Sequence, residues 1–293
     1  MVSFSKFHCI RDRCHALSHY QRRDSRQDSI AVEFLLMWQF SANMHGITED
    51  PTVFDGKFAE EQELMKSATD ATDPALFVVR YYRTLKAIIL AHMNDVEKAS
   101  EYFRQLIFPH NVAITGSHYV VTIFQSMAAI MYYRKNAIKR DARLMALGDK
   151  HLAVLQLWVN KGAINLPACL WFVQAEKAAV TNSNLSEVKQ LFDKAILGLS
   201  RSSFLGQRAS ACLGFALYAE RHGDLGYASE YMQMAVQLYH EWGANAVVCK
   251  ILHRHGHLVT NLKDCRRHLL TSKSSRTSRM SSYSGFLAPH EDQ

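Results

Sequence analysis

Three side chains that can bind a metal lie at helical spacing near the end of the chain. Cys249, His253 and His257 stand at positions i, i+4 and i+8, which places them on one face of a helix. A thiolate and two imidazoles suit zinc or copper. However, Gly256 weakens a helix within this span, and histidine also suits the negative end of a helix dipole. We therefore expect a His-rich helix end and no metal or other cofactor, and we keep these three residues as the candidate ligands.

Other residues of chemical interest form no recognisable catalytic set. A second Cys/His cluster at 8–19 has the spacing C-x4-C-H-x3-H, which matches no standard zinc module. The adjacent Glu176 and Lys177 read as an exposed helix face and not as an acid–base pair. The sequence contains no GxxxxGK[ST] phosphate loop and no protein-kinase signature set. We therefore predict no catalytic residues and a protein that is not an enzyme.

One modification site is suggested by the Ser- and Arg-rich stretch at 271–285. Arg279 precedes Ser282 by three residues, a spacing that basic-directed kinases accept. A phosphate at Ser282 would turn a cationic segment anionic. The alternative is a plain solvated tail or linker without modification.

The net charge of +7 lies in the two ends of the chain. Residues 1–26 carry a net charge of +4 and residues 263–293 carry +3, so the region between them is neutral. A nucleic-acid-binding domain normally carries its basic excess on the folded body. The charge distribution therefore predicts basic flexible ends and no nucleic-acid partner.

Composition indicates a helical, intracellular protein. With 48% hydrophobic residues in 293 positions, the chain can bury a sizeable core, and 5 prolines with 13 glycines are few enough to favour long helices with short connections. No apolar run has the length of a membrane span, so we predict no membrane association. The six cysteines are scattered without a CxxC pair, which favours a reducing, cytoplasmic location.

A short pattern marks the start of helices along the chain. Asp95, Asn184 and Asp224 each fit an N-cap. Four residues after each cap comes a small or apolar residue and four residues later a larger apolar one, giving Ala99 with Phe103, Val188 with Phe192, and Ala228 with Met232. Gly223 and Gly243 fit positive-φ residues at the ends of the preceding helices. Trp242, just before Gly243, is expected to pack back under the turn.

The pattern recurs with a period near forty, which is typical of stacked helical hairpins. We predict an all-α fold of stacked antiparallel helical hairpins, a tetratricopeptide-like (TPR-like) α-solenoid. A single globular bundle with similar loops is the alternative. The predicted organisation is a basic flexible segment at 1–28, the helical-repeat domain at 29–262, and a Ser/Arg-rich disordered tail at 263–293.

Two stretches carry a resemblance to a known family. One runs from Lys150 to Lys177, and the other begins at Phe204 and closes with Trp242-Gly243-Ala244. They resemble the TPR-like helical region of very large multidomain signalling kinases, where a Ser/Thr-kinase-like domain and a STAND-class ATPase come before it and GAF and histidine-kinase domains follow. The family's Lys-Val step after the closing motif is absent, since Ala246-Val247 stands there.

This resemblance covers about 30–260 and implies a helical arm without the kinase and ATPase domains. We therefore expect a non-catalytic interaction or regulatory module of a signalling protein. Its partner would be a protein or peptide, such as a kinase or ATPase domain. Two alternatives stay open: a fragment of a full-length multidomain kinase, and an enzyme or metal-binding protein with an unrecognised site in the Cys249–His257 region.

Overall fold

The computed structural model describes residues 25–56, 73–106, 118–182, 184–202 and 204–259, and in 25–34, 73–78 and 118–122 it describes the backbone alone. All regular structure in these ranges is helical, so the all-α prediction is confirmed. The helices are α1 Ser25–His45, α2 Asp73–His92, α3 Val96–Gln105, α4 His118–Lys139, α5 Ala142–Asn160, α6 Pro167–Thr181, α7 Leu185–Ser200, α8 Leu205–Arg221, α9 Leu225–Trp242 and α10 Asn245–His255, with a 3-10 turn at Gly256–Leu258.

The predicted flanking segments fall mostly beyond this description. Residues 1–24 and 260–293, which include Ser282, lie outside the described residues. Helix α1 begins at Ser25, inside the predicted 1–28 segment. The predicted boundary at residue 28 therefore falls within the first turn of this helix.

Consecutive helices from α2 to α9 pack against each other. In the α8/α9 pair, Gly206 at the start of α8 faces Trp242 at the end of α9. At the other end of the pair, the rings of Phe215 and Tyr231 are 4.5 Å apart. The pairs α2/α3, α4/α5, α6/α7 and α8/α9 are referred to as the first to fourth hairpins.

The predicted N-caps are present at the three positions. The Asp95 side chain accepts from the backbone N–H of Lys98, Asn184 from those of Ser186 and Glu187, and Asp224 from that of Tyr227. These bonds satisfy amide groups that have no partner within the helix.

Two of these caps follow directly on a left-handed residue. Gly223 has φ +78° and Asn94 has φ +49°. The N–H of Asp224 donates to the carbonyl of Ala219 (3.0 Å), and that of Asp95 donates to the carbonyl of Leu90 (2.9 Å). In each turn the same aspartate therefore bonds to the helix that ends, through its backbone N–H, and caps the helix that begins, through its side chain. This makes these turns very short.

A fourth cap, Asp141, was not predicted. Its side chain accepts from Arg143 N at 2.9 Å, and the preceding Arg140 is left-handed at φ +55°. The caps at 95, 141, 184 and 224 follow at intervals of 46, 43 and 40 residues. In α5 the polar Asp149 stands at the position where the other three capped helices have the larger apolar residue. The buried residue beside it is Gly148, and the Tyr133 ring lies where a Cβ of Gly148 would be.

The residues of the predicted repeat pattern form part of the core. Ala99, Val188 and Ala228 are fully buried, and so are the larger residues four positions later, which are Phe103, Phe192 and Met232. The small residue lets the neighbouring helix approach closely, and the larger residue fills the space that remains.

The first hairpin contacts the fourth, which a simple stack does not predict. His92 at the end of α2 lies 3.2 Å from the Tyr239 hydroxyl, and its ring is 4.9 Å from that of Trp242. The contacts of the first hairpin therefore extend beyond its neighbours in the chain. Trp242 likewise packs between α2 and α8, and not simply under its own turn.

Helix α10 brings the two ends of the described chain together. Val247, Val248 and Ile251 are buried, as expected for a helix that covers the fourth hairpin. The same helix also packs against α1, and the turn at Gly243 lies against His45 of α1. Helix α1 near one end of the described chain thus packs against α10 and the turn before it near the other end.

Gly223 and Gly243 form a matched pair that tests this contact. Both have left-handed φ values, +78° and +84°, so alanine at either position costs about 1–2 kcal/mol of backbone strain. A Cβ at Gly223 would meet nothing within 4 Å, whereas one at Gly243 would lie 2.8 Å from Cε1 of His45. We expect Gly243→Ala to lower the free energy of unfolding, measured with urea, by more than Gly223→Ala does.

The control is a second pair of measurements in a His45→Ala background. There the two alanine substitutions should have the same cost, because the ring that obstructs the Cβ at residue 243 is gone. Equal costs in the parent chain would contradict the packing of α1 against the turn between α9 and α10.

Candidate functional site

A buried ion pair lies at the centre of the helical body. The Arg134 guanidinium of α4 donates from Nε to both carboxylate oxygens of Glu176 on α6, at 3.1 and 3.2 Å, and from Nη2 to Glu176 Oε1. Both side chains are more than nine-tenths buried. A paired, multiply hydrogen-bonded charge can be buried where a single charge cannot.

The same guanidinium reaches the remaining hairpins. Nη1 of Arg134 donates to Oδ1 of Asn94 at 2.9 Å, and Nη2 donates to the carbonyl of Ser210 at 3.4 Å. Asn94 belongs to the first hairpin, Glu176 to the third and Ser210 to the fourth. One side chain of the second hairpin therefore binds residues of the other three.

Glycine at position 214 leaves space for this pair. A Cβ there would collide with Oε1 of Glu176 and would lie 2.7 Å from Nη2 of Arg134. A glycine within a helix allows close helix approach. The structure shows what the space is for.

The interpretation of Glu176 as part of an exposed helix face is wrong. Its neighbour Lys177 does face outward and binds Asp149 at 2.8 Å, but Glu176 points into the body. Adjacent helical residues are about 100° apart around the axis, so one of them can be buried while the other is solvated. A charged residue surrounded by apolar residues, as in the segment 168–180, was the available signal.

His92 is the second buried polar side chain of this region. Burial, and then the Arg134 charge, lower its pKa from 6.5 to about 3. The ring is therefore neutral at physiological pH, with Nδ1 in hydrogen-bond contact with the Tyr239 hydroxyl at 3.2 Å. Burial also raises the pKa of Tyr239, so neither group is charged.

A cleft opens beside His92, between the end of α2, the middle of α8 and one face of α10. Its lining includes the apolar Leu213, Leu217, Val247 and Ile251, and the other lining residues are His92, Met93, Asn94, Lys250, Arg254 and His255. No acidic residue lines the cleft among the described residues. Two of the lining residues, Lys250 and Arg254, are cations, and they are referred to as the cationic rim.

The two cations of the rim, Lys250 and Arg254, stand at i and i+4 on α10. Among the described residues neither has a hydrogen-bond or ion-pair partner. Partial burial, and then the Arg254 charge, lower the pKa of Lys250. Two like charges one helical turn apart are mutually destabilising, and the charges of Asp95 and Asp50 offset part of this effect at Lys250 by raising its pKa.

The structure does not bring the candidate metal ligands together. Cys249 is exposed and His253 is exposed, while the α-helix ends at His255, so His257 is no longer in helical phase with them. His257 Nε2 and His255 Nδ1 instead lie 3.2 Å from the two carboxylate oxygens of Glu220. Within the described ranges no three His, Cys, Asp or Glu side chains are placed to hold a metal ion.

Two other cysteines are packed in the core. Cys169 and Cys212 are free and buried, and burial raises the thiol pKa of each to about 12. Such thiols are poor nucleophiles at neutral pH, because the thiolate is the reactive form. Their role is to fill space.

None of the helices in the described part of the chain combines the length and apolar character needed to cross a membrane.

Breaking the central ion pair should destabilise the protein strongly. Glu176→Gln leaves the Arg134 charge buried without a counter-ion, which costs about 3–5 kcal/mol in comparable buried pairs. The matched control is Glu97→Gln, which removes an exposed partner of Lys135 and Lys139 and should cost at most about 1 kcal/mol. Urea unfolding of the two variants makes the comparison.

A double replacement tests the effect of the buried charges separately from the volume that the two side chains fill. Replacing both members, as Arg134→Met with Glu176→Met, removes the buried charges together and should be less destabilising than Glu176→Gln alone. If Glu176→Gln unfolds at the same urea concentration as Glu97→Gln, the pair is not buried as described.

The neutral state of His92 predicts a dependence of stability on pH. Between pH 6.5 and about 3 the unfolded chain protonates this histidine and the folded chain does not. The free energy of unfolding should therefore fall as the pH falls below 6.5, by up to about 1.4 kcal/mol per pH unit from this group. Its contribution is constant above pH 6.5.

His92→Gln should flatten this decline between pH 6.5 and 4.5, and His253→Gln, at an exposed position, should leave the decline unchanged. Urea unfolding at several pH values measures each slope. A parent slope that His92→Gln does not reduce would show that the ring titrates normally.

Comparison with known proteins gives no relative for this chain: no family model, no curated protein and no solved structure matches it.

Proposed function

We propose that this protein is a non-catalytic helical interaction module of a signalling protein, with a protein or peptide as its partner. The observation that carries the proposal is the way in which the charged residues are used. The central charged pair lies inside the body and connects helices, since Arg134 binds Glu176, the side chain of Asn94 and the backbone of Ser210. Two cations that have no partner among the described residues, Lys250 and Arg254, stand instead on the surface of α10 and line the cleft.

Charged residues nearer the surface also bind residues of neighbouring helices. Asp149 of α5 accepts from the Tyr133 hydroxyl of α4 at 2.7 Å and binds Lys177 of α6 at 2.8 Å. Lys189 of α7 binds Asp193 at 2.7 Å, and Asp193 accepts from the Tyr231 hydroxyl of α9. These groups hold helices to each other, which suits a rigid scaffold that presents a surface.

The resemblance to the helical region of ATPase-linked sensor kinases suggests the kind of partner. In this proposal the chain is a TPR-like arm that works in the cytoplasm and binds a kinase or ATPase domain. Helical hairpins provide such surfaces without performing chemistry themselves.

Two measurements on the purified full chain test the proposal. The first is ATP hydrolysis together with metal content. We expect neither turnover nor stoichiometric zinc or copper, and either of them would support the alternative of an enzyme or metal protein.

The second measurement is site-specific photocrosslinking. Cys249 is exposed while Cys169 and Cys212 are buried, so a benzophenone maleimide should label Cys249 once the cysteines at 9, 14 and 265 are replaced by serine. A matched chain with Cys249→Ser and Lys150→Cys places the label on α5. We expect at least one label to capture a protein that mass spectrometry identifies and that forms a 1:1 complex when purified. A chain that captures no such protein from either position contradicts the proposal.

A further inference from the structure

We propose that the contact of His92, at the end of α2, with Tyr239 and Trp242 of α9 is a proton-sensitive latch, which opens when His92 is protonated while the hairpins stay folded. The inference does not depend on the proposed function. It also goes beyond the pH dependence of global unfolding, because the chain opens at one contact and keeps its helices.

The latch consists of three rings near two helix ends. The His92 side chain is 1% exposed, and its ring lies edge-on to that of Tyr239, with centroids 5.8 Å apart. The ring of Trp242, the last residue of α9, is 4.9 Å from that of His92. In the described part of the chain α2 and α9 do not pack along their lengths. A small movement of the two ends is therefore enough to admit water to the ring.

The charged groups that face the His92 ring are cations. The Arg134 charge, from α4, acts directly on its pKa. Helix α10 contributes Lys250, Arg254 and His255 to the cleft that His92 also lines, and α8 contributes two leucines. No acidic residue lines this cleft in the described ranges. An imidazolium in the closed latch therefore has no counter-ion, whereas one that is open to water is solvated.

Acidic groups of the neighbouring elements are engaged elsewhere. Glu176 of α6 is held in the central ion pair, Glu220 of α8 lies against two histidines near the end of α10, and Asp95 caps α3. The pKa of His92 is set by burial and by the central guanidinium, and by none of these three carboxylates. A second titratable ring, that of His45 of α1, lies against the turn after α9.

The first hairpin has other contacts that do not involve the latch. Lys135 of α4 binds Glu97 of α3 at 3.0 Å, and the rings of Phe103 and Phe124 are 5.2 Å apart. These contacts hold the first hairpin to the second when the latch opens. Opening is therefore a local event, which has a lower free energy than unfolding of the whole chain.

Proton linkage sets the size of the effect. Burial and the Arg134 charge lower the pKa of His92 from 6.5 to about 3 in the closed latch, and the ring recovers its ordinary pKa when water reaches it. Above pH 6.5 the closed form keeps its full advantage, and below pH 6.5 each pH unit favours the open form by up to about tenfold. Between pH 7.5 and 5.0 the ratio of open to closed chains should rise about 30-fold. The aromatic surface of α9, which is covered at neutral pH, becomes accessible in acid.

Thiol labelling at two buried positions tests for local opening. Met93, next to His92, is 4% exposed, and Leu155 of α5 is fully buried. Met93→Cys or Leu155→Cys is placed in the full chain after its own cysteines are replaced, Cys169 and Cys212 by alanine and the others by serine. 4,4′-Dithiodipyridine labels thiols in acid as well as at neutral pH. The labelling rate, divided by that of a short cysteine peptide at the same pH, gives the open fraction.

We expect the open fraction at position 93 to rise about 30-fold from pH 7.5 to 5.0. At pH 5.0 it should exceed the open fraction at position 155 at least tenfold. Labelling at position 155 requires unfolding of the body, so it should increase more steeply with urea. Equal open fractions at the two positions would show that the chain opens only as a whole and would overturn the proposal, and so would a constant open fraction at position 93.

Matched glutamine variants identify the group that titrates. His92→Gln should abolish the rise at position 93, whereas His253→Gln, at an exposed position of α10, should leave it unchanged. A rise that persists in the His92→Gln chain would assign the titration to another group, such as His45, and would overturn the role of His92. The comparison of positions 93 and 155 needs no change at His92, so it decides between local and global opening even if the His92→Gln chain does not fold.

Discussion

The guanidinium of Arg134 is the constraint on which the arrangement of the hairpins depends. A buried guanidinium must have its N–H groups satisfied and its charge balanced. Glu176 balances the charge, and Asn94 and Ser210 accept further N–H groups. Since these partners belong to three different hairpins, a shift of any one of them leaves a buried donor without an acceptor. Apolar packing tolerates small sliding movements of helices, and this network does not.

Several features near the centre follow from that charge. Position 214 has no side chain because the pair occupies its space. His92 is neutral because burial and the Arg134 charge both disfavour a second cation. The side-chain carbonyl of Asn94 faces Arg134, from which it accepts a hydrogen bond. Among the described residues, the cleft beside the network is lined by the cations Lys250 and Arg254 and by no acidic residue.

The features that could be predicted from the sequence are those that depend on residues close together in the chain. An N-cap and the turn before it are made by bonds that span a few residues, so Asp95, Asn184 and Asp224 could be identified from spacing alone. Asp141 was missed because it follows Arg140, an unusual residue for a left-handed position, and because Asp149 interrupts the apolar pattern.

The site could not be predicted in the same way. Arg134 and Glu176 are 42 residues apart and Arg134 and Ser210 are 76 apart, and no local pattern relates such positions. Glu176 beside Lys177 looked like an ordinary solvated pair, because the sequence does not show which face of α6 is covered. The cationic rim could not be predicted because it depends on the position of α10 against α2, which follows from tertiary packing.

The contact between His92 and Tyr239 joins residues 147 positions apart, and this has a consequence for how the chain folds during synthesis. In an array with nearest-neighbour contacts, each hairpin can be completed as it leaves the ribosome. Here the end of α2 must wait for α9, and Arg134 lacks the Ser210 acceptor until α8 has been made. Long-range contacts of this kind slow folding and favour late, cooperative completion. The nascent first hairpin is therefore a stage at which a chaperone would find exposed apolar surface.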